Sequence, residues 1–402
     1  MISFAMKNTN KAVISNKKTI QVCHSHQQWL NLTENWLYNQ VVYLPPNINN
    51  AVLCDRRLNS ETFSIPYIYS FSEVPKWRYF WDKGLRKLGF RNYLGYFKEI
   101  AQKLDVDIIH SHFGPRAWEN LSIVKHCDAK HLVTFYGLDV NYLPRQNPEW
   151  LDRYQKVFQE IDGVLCEGSY MARCIVKMGC PKEKIRVHHL GVVLDKIPFR
   201  PRNWIPGETL NILIVASFRE KKGIQFAIKA LGEFQHKQDI KITIIGDSSS
   251  DVRSQEEKRK ILSLIDDYKL TEKVNFLGFQ PHDVLMAEAY KNHIFLSPSV
   301  TAENGDTEGG APVSIIEMIA SGMPVVSTEH CDIPEVAFNR CRSFLAKERD
   351  VDGLVTHLTW LVKNLEQWSE VLLEGRRYIE DEYDAKVQGK RLGNIYIDLL
   401  NR

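Results

Sequence analysis

The stretch Thr307-Glu308-Gly309-Gly310-Ala311-Pro312-Val313-Ser314-Ile315-Ile316-Glu317-Met318-Ile319-Ala320-Ser321-Gly322-Met323-Pro324-Val325-Val326 decides how the rest of the chain is read. It opens as a glycine-rich turn, with Pro312 where the first helical position belongs. A helix follows from Val313, Gly322 stops it, and Pro324-Val325-Val326 reads as a strand. Between Gly309 and Thr328 the only ionisable side chain is Glu317. A helix that is apolar nearly all round is a buried one, and a lone carboxylate there is costly without a partner. Two readings stand. Glu317 is a structural carboxylate capped by a core arginine, or it faces a cleft and accepts hydrogen bonds from a ligand's hydroxyls. The preceding turn points backbone N–H groups at the same cleft, and a helix N-terminus attracts phosphate. A diol binder beside a phosphate cradle suggests a nucleotide-sugar.

The composition frames that reading. The chain has 402 residues, 44% hydrophobic and 25% charged, which is an ordinary globular composition with room for two domains. A net charge of +3 is too small to imply a nucleic-acid partner. The eight cysteines form no C-x-x-C pair and read as reduced thiols. The first eighteen residues carry Lys7, Lys11, Lys17 and Lys18 and no apolar run fit for a signal peptide, and no stretch is apolar enough to span a membrane. These features predict a cytoplasmic protein.

Strand-like and helix-like segments alternate, which favours parallel α/β sheets. The first half offers strands at Thr19–Cys23, Gln40–Leu44, Ala51–Cys54, Asp107–His110, His131–Phe135, Gly163–Cys166 and Ile185–His189. The segment Ile197-Pro198-Phe199-Arg200-Pro201-Arg202-Asn203-Trp204-Ile205-Pro206-Gly207 reads as a linker. A second series then runs through Leu210–Ala216, Lys241–Ile245, Val274–Gly278, Ile294–Ser297 and Pro324–Ser327. Two doubly wound domains, residues 1–198 and 199–375, are the expected architecture, and residues 376–402 form a helix packing back on the first domain. Ligands of such sheets bind at the carboxyl ends of the strands.

Polar strand ends mark the expected site. His110-Ser111-His112-Phe113-Gly114 ends one strand, and its two histidines share a face, as in some metal sites. No carboxylate or cysteine nearby completes a ligand set, so no metal is expected, and Asp105-x-Asp107 lies at the wrong end of its strand. His112 is better placed to bond a substrate hydroxyl. Thr134-Phe135-Tyr136-Gly137-Leu138-Asp139 ends another strand, and Leu32-Thr33-Glu34 follows the first. In the second half, Ser217-Phe218-Arg219-Glu220-Lys221-Lys222-Gly223 forms either a diphosphate clamp or a solvated charged turn. No Gly-x-Gly-x-x-Gly follows a strand and no Walker sequence is present. Apart from these, Trp77, Trp81, Leu85 and Leu88 fall on one face of a cation-rich helical segment within residues 76–98. That face either lies on an anionic inner-membrane surface or packs on the domain.

Taken together these stretches resemble the retaining glycosyltransferases of the GT4 family, with the two-Rossmann GT-B fold, in the subgroup that builds exopolysaccharides such as colanic acid. Asn31-Leu32-Thr33-Glu34, His110 to Gly114, Thr134 to Asp139, Lys221-Lys222-Gly223 and Asp306 through Glu317 to Ser327 carry the resemblance. It implies that Glu317 holds the donor ribose diol and that Glu308 contacts the transferred sugar. Arg219 and Lys222 would bind the diphosphate, with the Gly309-Gly310-Ala311-Pro312 turn beside them and Gly278-Phe279 at the nucleobase. His112 and Tyr136, with Thr33, Glu34, Gly114 and Asp139, would face the sugar or the acceptor. No metal or other cofactor is implied; the nucleotide-diphosphate sugar is a co-substrate, and the acceptor is a glycan or lipid-linked oligosaccharide.

Three departures stand out. Glu308 and Glu317 are nine residues apart where the family has eight, so Asp306 or Glu303 could share the role of Glu308. Tyr136 occupies the family's histidine position, and Ser217 its arginine position, for which Arg219 is the substitute. The expected reaction is hexose transfer with retention. A nucleotide-sugar epimerase and a non-catalytic bilobed sugar-binding protein are the alternatives.

Overall fold

The computed structural model describes residues 19–31, 34–91, 93–337 and 344–402; segment 1–18, Thr33 and Cys341 lie outside them. In the first domain β1 (Ile20–Trp29), β2 (Ile48–Arg57), β3 (Ile68–Ser70), β4 (Ile108–His112), β5 (Lys130–Thr134), β6 (Gly163–Cys166) and β7 (Ile185–Val187) form one parallel sheet. Their order is β3-β2-β1-β4-β5-β6-β7. In the second domain β8 (Leu210–Val215), β9 (Ile240–Ile245), β10 (Val274–Gly278), β11 (Ile294–Ser297), β12 (Val325–Thr328) and β13 (Leu345–Ala346) are ordered β10-β9-β8-β11-β12-β13, again all parallel. In each sheet the strand order reverses once, between β1 and β4 and between β8 and β11. Those switch points are where doubly wound sheets open a crevice. The two sheets are the GT-B arrangement.

One expected strand is a helix. Residues 40–44 belong to Asn35–Val42 and the turn after it, with Leu37 and Val41 buried one helical turn apart. Parallel β1 and β2 need a crossover between them, and this helix supplies it.

The linker is packed rather than loose. Arg200 N and Arg202 N donate to Ser321 O and Gly322 O, at 3.0 and 2.8 Å. The buried Arg202 guanidinium donates to the carbonyls of Ala289, Asn292 and Ser321. It thus joins Arg200 N at Ser321 O, the residue that ends the helix Val313–Ala320, while Arg376 Nη1 donates to Ala320 O at 2.9 Å.

Beyond the second domain the chain returns. Helix Trp368–Glu382 buries Trp368, Val371 and Leu372 in the second domain's core. Val192 and Asp384 then pair side by side, with Val192 N donating to Tyr383 O and Ala385 N to Val192 O. The final helix, Ala385–Leu400, packs Leu392, Tyr396 and Leu399 against Ile20, Val22, Ile108, Leu132 and Leu165 of the first sheet. Its glycines allow that approach: a Cβ on Gly389 would lie 1.9 Å from Tyr43 O. Among the described residues no helix is long and apolar enough to cross a membrane.

Candidate active site

The carboxyl ends of the two sheets face each other. In the second domain the cationic turn after β8 is fixed to the loop after β11. Gly223 has φ +65°, and a Cβ there would lie 1.8 Å from Pro298 O, while Val300 N donates to Lys221 O at 2.9 Å. Lys222 Nζ donates to Glu308 Oε2 at 2.8 Å, and Ser299 Oγ to Glu308 Oε1 at 2.8 Å. Glu308 N donates to His330 Nε2 at 3.1 Å. Lys221 Nζ reaches Asp306 Oδ1 at 3.1 Å and Thr307 O at 2.9 Å. Burial pushes the Glu308 carboxyl up, but the Lys222 and Lys221 ammonium groups outweigh it and hold the pKa down at about 2. Arg219 does not join this cluster. It is exposed and lines a cavity of about 400 Å³ with Tyr142, Lys221, Arg253, Glu303 and Asp306.

Glu317 is buried just past the middle of its eight-residue helix, four residues beyond Val313. Its partner is not an arginine. His282 Nε2 lies 2.8 Å from Glu317 Oε1, and that hydrogen bond raises the His282 pKa above the ordinary histidine value. His282 starts the helix after β10, three residues beyond the exposed Phe279. Gly278, before it, has φ +64° and accepts a hydrogen bond from Gly246 N at 2.7 Å. The signal for His282 was its place at a strand's carboxyl end, directly after Pro281, but nothing local linked it to Glu317, 35 residues away.

In the first domain the register of β1 on β4 sets His24 opposite His110. His112 Nδ1 lies 2.7 Å from Tyr136 Oη, and His112 Nε2 lies 3.0 Å from His24 Nδ1. His110 bonds Tyr396 Oη at 2.7 Å and Thr134 Oγ1 at 2.6 Å. Burial lowers all three histidines, His24 to about 3, so each is neutral. His24 completes a three-histidine group in which one ring nitrogen from each residue lies within 4.8 Å of the other two. No carboxylate belongs to it, and His110 and His112 each have both ring nitrogens engaged by protein partners. Asp139 ties two strand ends together by accepting from Gly114 N at 2.7 Å and Tyr136 N at 2.9 Å. Its burial nonetheless raises its carboxyl to about 7. Gly114 has no room for a side chain: a Cβ would meet the rings of Tyr154 and Phe135 at 2.6 and 2.7 Å. Glu34, whose Oε2 accepts from Asn31 N at 2.9 Å, lines a second cavity of about 300 Å³ with His26, Gln28, His112 and Phe113. Leu138 borders both cavities.

The two halves meet at the glycine loop. A Cβ on Gly309 would lie 2.2 Å from Gly137 Cα, and one on Gly310 would lie 1.7 Å from Glu167 Oε2. Asn141 Nδ2 donates to Thr307 Oγ1 at 2.8 Å. Ser169 N and Tyr170 N, at the start of helix Ser169–Lys177, donate to Glu335 Oε1 and Asp332 Oδ1 at 2.8 and 2.6 Å. One domain's carboxylates therefore cap the other domain's helix. Glu167 was not anticipated. It directly follows β6, beside Gly310 of the glycine loop, and burial, together with Asp332, Asp139 and Glu308, pushes its carboxyl well above the usual range.

Two facing Rossmann-like sheets, with a cationic turn and a glycine loop at the mouth of one, define a glycosyltransferase of the GT-B class. Residues 33–196 match the family described as Glycosyltransferase Family 4, and residues 195–371 match Glycosyl transferases group 1. The amylovoran biosynthesis glycosyltransferase AmsK of Erwinia amylovora is 30% identical over 292 residues, covering 72% of this chain and 69% of that protein. A putative colanic acid biosynthesis glycosyltransferase, WcaL of Escherichia coli K12, is 29% identical over 304 residues, covering 74% of this chain and 72% of that protein. Among solved structures, Anabaena HepE in complex with UDP and glucose superposes with a TM-score of 0.74 at 13% identity, covering 94% of this chain and all of that one. Sucrose-phosphate synthase from Thermosynechococcus elongatus gives 0.70 at 16% identity, covering 94% of this chain and 99% of that one. The chain belongs to the GT4-related glycosyltransferases of GT-B fold.

Proposed function

We propose that the protein transfers a hexose from a nucleotide-diphosphate sugar to a hydroxyl of a glycan acceptor in exopolysaccharide assembly, with retention at the anomeric carbon. The observation that carries this is the shared placement of Lys222, the glycine loop and the Glu317–His282 pair at the carboxyl end of one sheet. Glu317 accepts hydrogen bonds from the ribose diol, and Phe279 covers the base. Lys222 and the N–H groups that start helix Val313–Ala320 stabilise the departing diphosphate, the work a divalent ion does elsewhere. Closure onto Gly137 excludes water from the reacting centre. Tyr136, held by His112, faces the sugar, and the acceptor enters through the cavity lined by Glu34. A phosphate oxygen of the donor takes the acceptor proton. The names of AmsK and WcaL support exopolysaccharide assembly, and the complex of HepE with UDP and glucose supports a nucleotide-sugar donor.

The acceptor in this reading is lipid-linked and met at an anionic membrane face. Helix Lys76–Lys87 sits inside out: its buried residue is Asp82, held by Arg78, Arg91 and Tyr96 N. Trp77, Phe80 and Trp81 point outward, 69%, 70% and 61% exposed, with Leu88 and Phe90 beyond them. An aromatic face turned away from the domain and flanked by lysines suits an anionic bilayer surface. Transfer assays with a panel of nucleotide-sugars and lipid-linked acceptors test the reaction, with proton couplings at the new linkage reporting its stereochemistry. Free hexose as the sole product, or an inverted linkage, overturns it. Co-sedimentation with phosphatidylglycerol vesicles tests the surface: it should be lost in the Trp77→Ser/Trp81→Ser variant, and undiminished binding removes the lipid assignment.

A further inference from the structure

The cationic turn is already paired before any donor arrives. Lys222 is held by Glu308 and Lys221 by Asp306, so neither ammonium presents an uncompensated charge to the site. Glu308 is itself fixed from three sides: Ser299 holds one oxygen, Lys222 the other, and His330 accepts from its backbone N–H. Its side chain is only 7% exposed. A carboxylate anchored in this way has little freedom to turn toward a sugar. Lysine is the mobile partner, with a flexible stem and three donors that a carboxylate and a phosphate can compete for or share. The ninth residue in the Glu308-to-Glu317 spacing fits this, since Gly309, Gly310, Ala311 and Pro312 stand between Glu308 and the helix.

We propose that Glu308 is a positioning residue, a stand-in anion that holds the Lys222 ammonium in place in the empty enzyme and competes with the nucleoside diphosphate for it at each turnover. The competition keeps the clamp aligned and also loosens the diphosphate product, so Glu308 speeds release rather than touching the transferred sugar. This rests on the reading of Lys222 as a diphosphate ligand.

The test is calorimetry with UDP, ADP and GDP, none of which carries a sugar. In Glu308→Gln the nucleoside diphosphate that binds the wild type should bind about tenfold more tightly, the scale of one hydrogen bond to a charged group. Product inhibition should strengthen in parallel and kcat should fall with KM. Ser299→Ala leaves the carboxylate more fully available to Lys222 and should weaken diphosphate binding several-fold, the opposite sign, which keeps the test open should the glutamine variant fold poorly. If Glu308→Gln leaves diphosphate affinity unchanged and weakens only the nucleotide-sugar, Glu308 is a sugar contact and the proposal fails while the diphosphate site stands. If the wild type binds none of the three, the diphosphate site falls and the proposal with it.

Discussion

Gly137 and Gly309 touch backbone to backbone across the domain boundary, at the tips of the loops that end β5 and precede the helix Val313–Ala320. Both have positive φ, +38° and +81°, so each is selected twice, by conformation and by space. Gly309→Ala should keep the two sheets folded, as read by circular dichroism, but hold the loops apart. Turnover at saturating donor should fall roughly 100-fold, the cost of about an ångström of misplacement at a reacting centre. Wild-type turnover would show that the closed contact is dispensable.

Replacing Glu317 by Gln keeps the shape of the site and removes the charge. Donor affinity should weaken by roughly 10- to 100-fold, as expected for a lost hydrogen bond to a charged group, with the secondary structure intact. Isothermal calorimetry with the nucleotide-sugar checks this, and an unaltered affinity removes Glu317 from the diol role.

The Glu317–His282 pair also carries a pH signature. The carboxylate raises the His282 pKa, so the pair's stabilisation is complete below the ordinary histidine value and fades as pH climbs through the raised one. Urea unfolding of wild type and His282→Gln should therefore differ more at pH 5.5 than at pH 8.5. An equal difference at both values would mean that the pair contributes no proton-linked stability.

Asp332 works in the opposite direction. Burial raises its carboxyl to about 7 from 3.8, although Tyr170 N bonds it. A carboxyl raised on folding costs stability that is full above the folded value and shrinks as pH falls toward the unfolded one. Asp332→Asn retains an acceptor for Tyr170 N and should stabilise the protein at pH 8 by roughly 1–3 kcal/mol, with a much smaller gain at pH 5. A loss of stability at pH 8 would show that the negative charge on the helix start outweighs its burial.

Tyr396 reaches the first sheet through its hydroxyl, 2.7 Å from His110 Nδ1 in a fully buried setting. Tyr396→Phe leaves that nitrogen without a partner and should cost roughly 1–3 kcal/mol, lowering the unfolding midpoint. An unchanged midpoint would indicate that His110 finds another partner.

What the sequence made legible was local. The turn, proline and apolar run around Glu317 specified their own conformation, and the strands Gly163–Cys166, Val274–Gly278 and Ile294–Ser297 match their apolar runs to the residue. Gln40–Leu44 misled because Val41-Val42-Tyr43-Leu44 reads as a strand by residue type, and only the need for a crossover makes it helical. The partners of the site residues were not legible. His282 meets Glu317, His24 meets His112 and Glu167 meets Gly310 through sheet register and domain packing, over separations that no motif spans. The outward turn of Trp77, Phe80 and Trp81 likewise depends on Asp82 being drawn inward by Arg78 and Arg91.

The return of helix Ala385–Leu400 to the first sheet has a consequence for the order of assembly. Ile108, Leu132 and Leu165 lie under Leu392 and Tyr396, so one side of the first domain's core stays open until those residues have left the ribosome. The second domain closes its core with residues only up to Tyr383 and can be complete earlier. On a chain made from its N-terminus, where domains usually mature in sequence, the domain translated first is the one finished last. A chaperone that shields apolar surface during synthesis would find its substrate in the first sheet.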